Sequence, residues 1–164
     1  MGQRQVGNMI VAFIGHREIN YSEALKEKLK KIIENLIINE NADTFLFGSK
    51  SEFDMLCYEV VTELQVKYSA IRRVYVRAER EFISEEYRKY LLTLYEFTYF
   101  PKAVQGAGVL AYVKRNQAMI DKCNIVVAYY DDQYIPPTKT KSGTQMAVVH
   151  AIKNHKRLIN LLQV

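Results

Sequence analysis

Several short polar segments of this chain follow apolar runs, and their residue types are suited to binding a phosphorylated ligand. The first is Gly15, His16 and Arg17, which come directly after "MIVAFI". A glycine permits a close backbone approach, and the planar arginine fork matches phosphate or carboxylate. The same residues would also form an ordinary solvated turn, and His16 is as well explained by a turn as by catalysis.

The second segment, "GSKSEFD", follows the run "TFLF". Gly48, Ser49 and Lys50, together with the N–H groups that begin the next helix, predict an anion-binding cradle. This is not a P-loop, because the GxxxxGK[ST] spacing is absent. Asp54 is suited to accept hydrogen bonds from ribose hydroxyls, but the third position of a helix capped by Ser51 explains it equally well.

The third segment is "KSGTQ", residues 141–145. Ser142 is a good N-cap, Gln145 completes a capping box, and Gly143 and Thr144 fall in the first helical turn. Glycine costs up to about 1 kcal/mol relative to alanine inside a helix, and less at its end. A ligand that approaches the backbone closely would account for Gly143, so this helix start is predicted to hold phosphate.

Two further segments contribute weaker candidates. Arg115 and Asn116 lie in "KRNQAM", where Arg115 is either solvated or reaches across the edge of the sheet. Asp131 follows the run "NIVVAYY" beside Asp132, and the pair is suited to a metal or to sugar hydroxyls. No further acids lie nearby, so a solvated loop is the favoured interpretation and no metal site is predicted. The charged residues at 77–81 are interpreted as a surface ion-pair cluster.

Alternating strands and helices are predicted to position these segments. Helical periodicity separates the apolar runs, and the first helix is predicted to begin at a capping box of Asn20 and Glu23. Such alternation predicts one α/β domain over 1–164: a doubly wound, mainly parallel five-stranded sheet with helices on both faces, Rossmann-like. Ligands of such sheets bind at the carboxyl ends of the strands. The predicted strands are 9–15, 44–48, 72–78, 124–130 and 157–162.

Residues 79–108 are predicted to form an insertion of a short helix and a loop. The segment is rich in tyrosine and charge and is broken by Pro101 and two glycines. Its run "YLLTLYEFTYF" carries much aromatic surface for one small domain, which is typical of a homo-oligomer contact. Burial within the monomer is the equal alternative.

Composition narrows the class of protein. The 164 residues are 49% hydrophobic and 25% charged, as in a globular domain, and the net charge is +5. The basic residues favour anionic ligands, but they are scattered rather than clustered as in most nucleic-acid binders. The two cysteines lack metal-ligand spacing and are interpreted as buried, reduced thiols. With no signal peptide or membrane span in the sequence, a cytoplasmic protein without a cofactor is expected.

The order of these motifs resembles the SLOG superfamily. The matching stretches are "VAFIGHR", "FLFGSKSEFDML", "KRNQAMIDKCNIVVAYY" and "SGTQMAVVHAIKNHKRLINL". The superfamily includes the Lonely-guy cytokinin-activating hydrolases and the DNA-processing protein A family, and this chain is most similar to the bacterial and phage YpsA/YoqJ-like proteins. The resemblance spans roughly residues 9 to 162, without 79–108. It implies a Rossmann-like fold that binds a nucleotide or nucleotide-derived ligand above the strand ends.

The resemblance also bears on catalysis. In the hydrolases, an arginine in an "ERKxxM"-type helix and a glutamate in a "PGGxGTxxE" turn carry N-glycosidic cleavage of a nucleoside monophosphate. Arg115, with Met119 four residues on, matches the first motif, and Gly143 with Thr144 matches the "GT" of the second. The glutamate's position is occupied by Ala147 and the "PGG" is missing. The resemblance therefore implies ligand binding more directly than hydrolysis.

Three functions remain open from the sequence. The first is a sensor-type domain that binds a nucleotide-like small molecule. The second is an N-glycosidic hydrolase or transferase, in which Asp54 or Glu59 would have to replace the missing glutamate. The third is single-stranded nucleic-acid binding, against which the scattered basic residues and tyrosines count.

Overall fold

A single six-stranded, all-parallel sheet forms the centre of the protein. The computed structural model describes residues 9–135 and 142–164. The strands lie in the order β4-β3-β2-β1-β5-β6, and every neighbouring pair is parallel. The predicted α/β, doubly wound class is confirmed, but the predicted number of strands, five, is wrong. The strands are β1 (Met9–Gly15), β2 (Ala42–Phe47), β3 (Arg72–Val76), β4 (Phe97–Tyr99), β5 (Ile125–Tyr129) and β6 (Arg157–Asn160).

The additional strand is β4, within the segment that was predicted to be a helix and a loop. β4 pairs with β3 over only three residues, Val74 with Phe97 through Val76 with Tyr99. A three-residue strand shows too little alternation to be distinguished from a loop by its pattern. Next to it, the carboxylate of Glu96 accepts hydrogen bonds from the backbone N–H and the guanidinium of Arg73 on β3.

Within the described residues, five α-helices connect the strands, and a serine caps four of them. The cap of the first helix is Ser22, whose Oγ accepts from the N–H of Leu25 at 3.0 Å. The predicted capping box at Asn20 and Glu23 is therefore wrong by two residues. The predicted cap at Ser51 is confirmed. The helices are α1 (Glu23–Glu40), α2 (Glu52–Lys67), α3 (Glu85–Leu94), α4 (Ala111–Lys122) and α5 (Gly143–Lys153).

The sheet separates two hydrophobic cores. Alternate residues of β1 point to opposite faces: Val11 and Phe13 pack into the core beneath α1 and α2, while Ala12 and Ile14 pack into the core beneath α4 and α5. Burial on both faces explains why β1 reads as an unbroken apolar run.

The strand order reverses beside β1. β2, β3 and β4 lie on one side of it, whereas β5 and β6 lie on the other. The loops that leave the carboxyl ends of β1 and β5 therefore turn away from each other and leave a crevice. The structure places the loops after β1 and β2, and the start of α5, around this crevice.

Candidate functional site

A cavity of about 550 Å³ lies in the crevice at the carboxyl ends of the strands. The loops after β1, β2 and β3, the α4 helix and the first turn of α5 form its wall. Nine of the fourteen residues predicted to bind ligand line it: Gly15, Arg17, Gly48, Ser49, Lys50, Arg115, Asn116, Gly143 and Thr144.

The Gly48–Ser49 loop is held from two sides by buried charged groups. Asp54 accepts hydrogen bonds on Oδ2 from the N–H groups of Gly48 at 3.1 Å and Ser49 at 3.0 Å. From α4, Nη1 of Arg115 donates to the carbonyl oxygen of Gly48. Because both bonding directions of the Gly48 peptide are satisfied, this part of the cavity wall is preorganised.

Arg115 is buried at the base of the cavity, with 2% of its surface exposed. Its Nε donates to Oδ1 of Asn116 at 3.0 Å, and its guanidinium lies 5.5 Å from the ring centre of Tyr112. Burial lowers the pKa of Arg115, and the nearby carboxylate of Asp54 acts in the opposite direction. Among the described residues, Nη2 forms no hydrogen bond. The guanidinium therefore retains donor capacity for an anion.

Asp54 lies behind the loop rather than in the wall of the cavity. Burial raises the pKa of its carboxyl group from 3.8 to about 7. The N–H groups of Gly48 and Ser49 and the charge of Arg115 act in the opposite direction. In this place Asp54 positions the loop through its Oδ2 atom.

The three glycines that line the cavity occupy their positions for different structural reasons. A Cβ on Gly15 would lie 2.2 Å from the Phe53 ring, and one on Gly48 would lie 2.7 Å from Cδ of Arg115. Packing inside the protein therefore requires both glycines. A Cβ on Gly143 would meet no described atom within 4 Å. Gly143 thus borders open space at the cavity, as expected if a ligand lies against it.

The start of α5 presents backbone donors to the cavity. Ser142 caps the helix, with its Oγ accepting from the N–H of Gln145 at 3.4 Å. The predicted cap at Ser142 is confirmed. Gly143 and the buried Thr144 face the cavity from the first turn. Backbone N–H groups at a helix start, together with the helix dipole, favour an anion there.

Five predicted ligand residues lie outside the cavity wall. Asp54 and Ser142 are the loop and helix supports described above. His16 is buried, and its Nε2 accepts from the N–H of Asp131 at 2.9 Å. Burial lowers the pKa of His16, which suits this neutral acceptor role. Asp131 closes a turn by accepting from the N–H of Gln133, and Gln145 lines a separate surface cavity along α4 and α5.

Glu59, the other acid considered for catalysis, lies on the outer face of α2. Its carboxylate pairs with Lys26 of α1 at 2.9 Å, and 57% of its side chain is exposed. The structure therefore places it with the contacts between α1 and α2 and not at the cavity.

Three cavity residues were absent from the sequence-based site: Ser51, Glu79 and Tyr112. Glu79 follows β3, the position at which parallel strands present ligand-binding residues, but it was assigned to a surface charge cluster. Tyr112 precedes Arg115 by three residues, so the two share a helix face. The place of Glu79 after a strand and the spacing of Tyr112 from Arg115 could therefore have identified both residues from the sequence.

The charges of the wall are unbalanced. Arg17, Lys50 and Arg115 bring three cations, whereas Glu79 is the sole carboxylate that lines the cavity among the described residues. Within the same ranges, no group of three or more His, Cys, Asp or Glu residues is arranged to hold a metal ion. Nor does any helix in the described portion have the length and apolar character needed to cross a membrane.

Comparisons with known proteins agree with this architecture. The molybdenum cofactor carrier protein of Chlamydomonas reinhardtii superposes with a TM-score of 0.54 at 14% identity, covering 93% of this chain and 75% of its own. A second Chlamydomonas Moco carrier structure gives a TM-score of 0.48 at 15% identity, covering 93% and 74%. No curated protein matches the sequence.

The model of the YspA SLOG family (YpsA) matches residues 12–164. The match includes β1 from Ala12 onward and every later strand and helix described above, and it confirms the resemblance found in the motif order. The chain therefore belongs to the YpsA family of SLOG proteins.

Proposed function

We propose that the protein is a sensor-type domain that binds a nucleotide or nucleotide-derived small molecule in the cavity at the strand ends. The observation that carries the proposal is the wall itself: three cations and a helix start surround Gly143, where an added Cβ would meet no described atom within 4 Å. A volume of about 550 Å³ is within the range of small-molecule sites.

The parts of such a ligand can be assigned to parts of the wall. A phosphate would lie between the first turn of α5 and the guanidinium of Arg115, where backbone donors and a buried cation converge. Arg17 and Lys50 lie at the exposed rim and would attract the anion. Glu79 is suited to accept hydrogen bonds from sugar hydroxyls. The carrier of the molybdenum cofactor, which shares the fold, supports a small-molecule ligand on a sheet of this kind.

N-glycosidic cleavage has less support. Ala147, at the position of the family's catalytic glutamate, lies on α5 and is buried in the core between this helix and the sheet. Glu59 is distant, and Asp54 is engaged by the Gly48–Ser49 loop. Glu79 would be the remaining acid of the cavity. Nucleic-acid binding has less support still, because this cavity is of small-molecule size and the other basic residues are scattered along the sequence.

The test is calorimetric titration with adenosine 5′-monophosphate (AMP), with the mixture analysed for free adenine by chromatography. Arg17→Ala and Lys50→Ala change exposed residues and should each weaken binding by about three- to tenfold. Arg72→Ala and Lys31→Ala remove the same charges from exposed positions outside the cavity and should leave binding unchanged.

The possible results of this titration distinguish the sensor function from the hydrolase function. Binding of intact AMP that depends on the two cavity cations supports the sensor function. Release of adenine supports the hydrolase, and its loss in Glu79→Gln would identify the acid. Binding that responds equally to all four variants would show general charge attraction and would contradict a site in this cavity.

A further inference from the structure

A second cavity, of about 350 Å³, adjoins the first. Lys50 and Glu79 belong to the walls of both, so the two cavities share a boundary and are accessible to one ligand. The rest of the second wall comes from the segment between β3 and α3 and from the start of α3: Arg77, Arg80, Phe82, Ile83, Ser84 and Tyr87.

This second wall also carries excess positive charge. Arg77 is fixed by donating to Thr98 Oγ1 at 3.2 Å and to the carbonyl oxygen of Glu81 at 3.1 Å. Its Nε is buried and has no hydrogen-bond partner among the described residues. Burial lowers the pKa of Arg77, and the positive charge of Arg88 lowers it further. Neither Arg77 nor Arg80 forms an ion pair within the described ranges.

Two aromatic rings lie beside these cations. Phe82 exposes 85% of its surface, and Tyr87 exposes 39%. Since aromatic rings stabilise a fold chiefly through burial, Phe82 contributes little to the fold in its observed place. Aromatic rings beside arginine and lysine side chains form the usual platform for a nucleobase with its phosphate.

We propose that the second cavity is a subsite for the other half of a dinucleotide-like ligand, with its base against Phe82 and Tyr87 and its linking phosphate near Lys50 and Arg80. The inference rests on the proposed function, because the first half of the ligand occupies the first cavity. It specifies the ligand class further: two nucleoside units joined through phosphate, and not a simple mononucleotide.

The test compares two probes by calorimetric titration: AMP, which fills the first cavity alone, and the 5′-phosphorylated dinucleotide pApA, which reaches both. Wild-type protein should bind pApA at least about tenfold more tightly, since its second base stacks on an aromatic side chain. Phe82→Ala and Arg80→Ala should each remove most of this advantage and leave the affinity for AMP within about twofold of wild type.

Arg72→Ala, at the opposite end of β3, is the matched control and should change neither affinity. Both test residues are exposed, and equal melting temperatures would show that the variants are folded. If pApA and AMP bind equally, or if both variants weaken the two probes alike, the second subsite is overturned while the proposed function stands. If neither probe binds the wild-type protein, the proposed function fails and the inference with it.

Discussion

At the scale of residues, the cavity depends on a carboxyl and a guanidinium group that lie on either side of one peptide. Asp54 accepts from the N–H groups of Gly48 and Ser49, while Arg115 donates to the Gly48 carbonyl oxygen. Both groups are buried, and each forms hydrogen bonds to the same loop. Both groups therefore act first as supports of the loop, and Arg115 additionally faces the ligand.

The raised pKa of Asp54 gives the protein a defined pH dependence. Its carboxyl group has a pKa of about 7 in the folded protein, against an ordinary value of 3.8. The folded state thus binds this proton more tightly than the unfolded state does. The stabilisation that this proton gives the folded state is fully present below pH 3.8, and it is lost as the pH rises through about 7. Each tenfold difference in proton affinity between the two states corresponds to roughly 1.4 kcal/mol.

We therefore expect the wild-type protein to lose stability relative to Asp54→Asn as the pH rises from about 4 to about 7. Asparagine retains an oxygen for the N–H groups of the loop but does not titrate. The measurement is urea denaturation of both proteins across this pH range. Asp132→Asn, on an exposed loop, should run parallel to wild type. Parallel curves for Asp54→Asn as well would show that Asp54 does not titrate in this range.

Alanine at Gly48 and at Gly143 should have opposite effects on the free energy of unfolding. At Gly48 the new Cβ would press on the buried Arg115 and Met119 and should cost about 1–3 kcal/mol. At Gly143 it meets no described atom, and the free energy of unfolding should stay equal or rise by up to about 1 kcal/mol. Denaturation in urea measures both changes.

The same Gly143→Ala variant should bind AMP at least about tenfold more weakly, because its methyl group occupies the space in front of the helix start. Calorimetric titration tests this. Unchanged affinity in a fully stable Gly143→Ala protein would mean that the ligand does not approach this backbone, and that Gly143 has no binding role.

Nine of the twelve residues that line the cavity could be predicted from the sequence, because strand ends and helix starts are local features. The role of each residue at the cavity could not be predicted in this way. His16 and Arg17 are neighbours in one motif, yet His16 is buried beneath the β5 loop and Arg17 lines the cavity. Asp54 faces the loop through backbone contacts that depend on how α2 packs. Such distinctions arise from tertiary neighbours and leave no pattern in a single sequence.

At the scale of elements, the edge of the sheet beside the second cavity depends on β4. Thr98 is buried in this short strand, and its Oγ1 donates to the Tyr75 carbonyl oxygen at 2.9 Å while accepting from Arg77 at 3.2 Å. The hydroxyl thus ties β4 to β3 and also orients a cation of the second wall. The sequence predicted a loop in place of β4, because three residues carry no usable periodicity. The longer strands β1 and β5 were predicted at almost their observed bounds.

Thr98→Val should lower the free energy of unfolding by about 1–3 kcal/mol. Valine has nearly the same shape as threonine, but the two hydrogen bonds of the hydroxyl are lost and Nη1 of Arg77 is left without its acceptor. Thr93→Val is the control: its hydroxyl donates to a backbone carbonyl oxygen on the exposed side of α3. Urea denaturation of the two variants gives the comparison. Equal stabilities would mean that the hydroxyl of Thr98 does not fasten the edge of the sheet.

At the scale of the whole molecule, one sheet serves two cores, and each core contains one buried thiol. Cys57 lies beneath α1 and α2, whereas Cys123 lies beneath α4 and α5. Burial raises the pKa of the Cys57 thiol and raises the pKa of Cys123 to about 11. Both thiols should therefore be unreactive in the folded protein, and each should report when its own layer opens.

If the chain unfolds as the single domain predicted from its length, both thiols should become reactive in the same event. Cys57→Ala and Cys123→Ala each leave one thiol, and their reaction with a disulfide reagent at about pH 8, where free thiols are partly ionised, can be followed in rising urea. The free energies of opening obtained from the two thiols should agree with each other and with global unfolding, after correction for the stability of each variant. A lower value for Cys123 would show that the α4 and α5 layer opens by itself. The cavity would then be bordered by one rigid wall and one separately opening wall, and ligand binding should raise the protection of Cys123 more than that of Cys57.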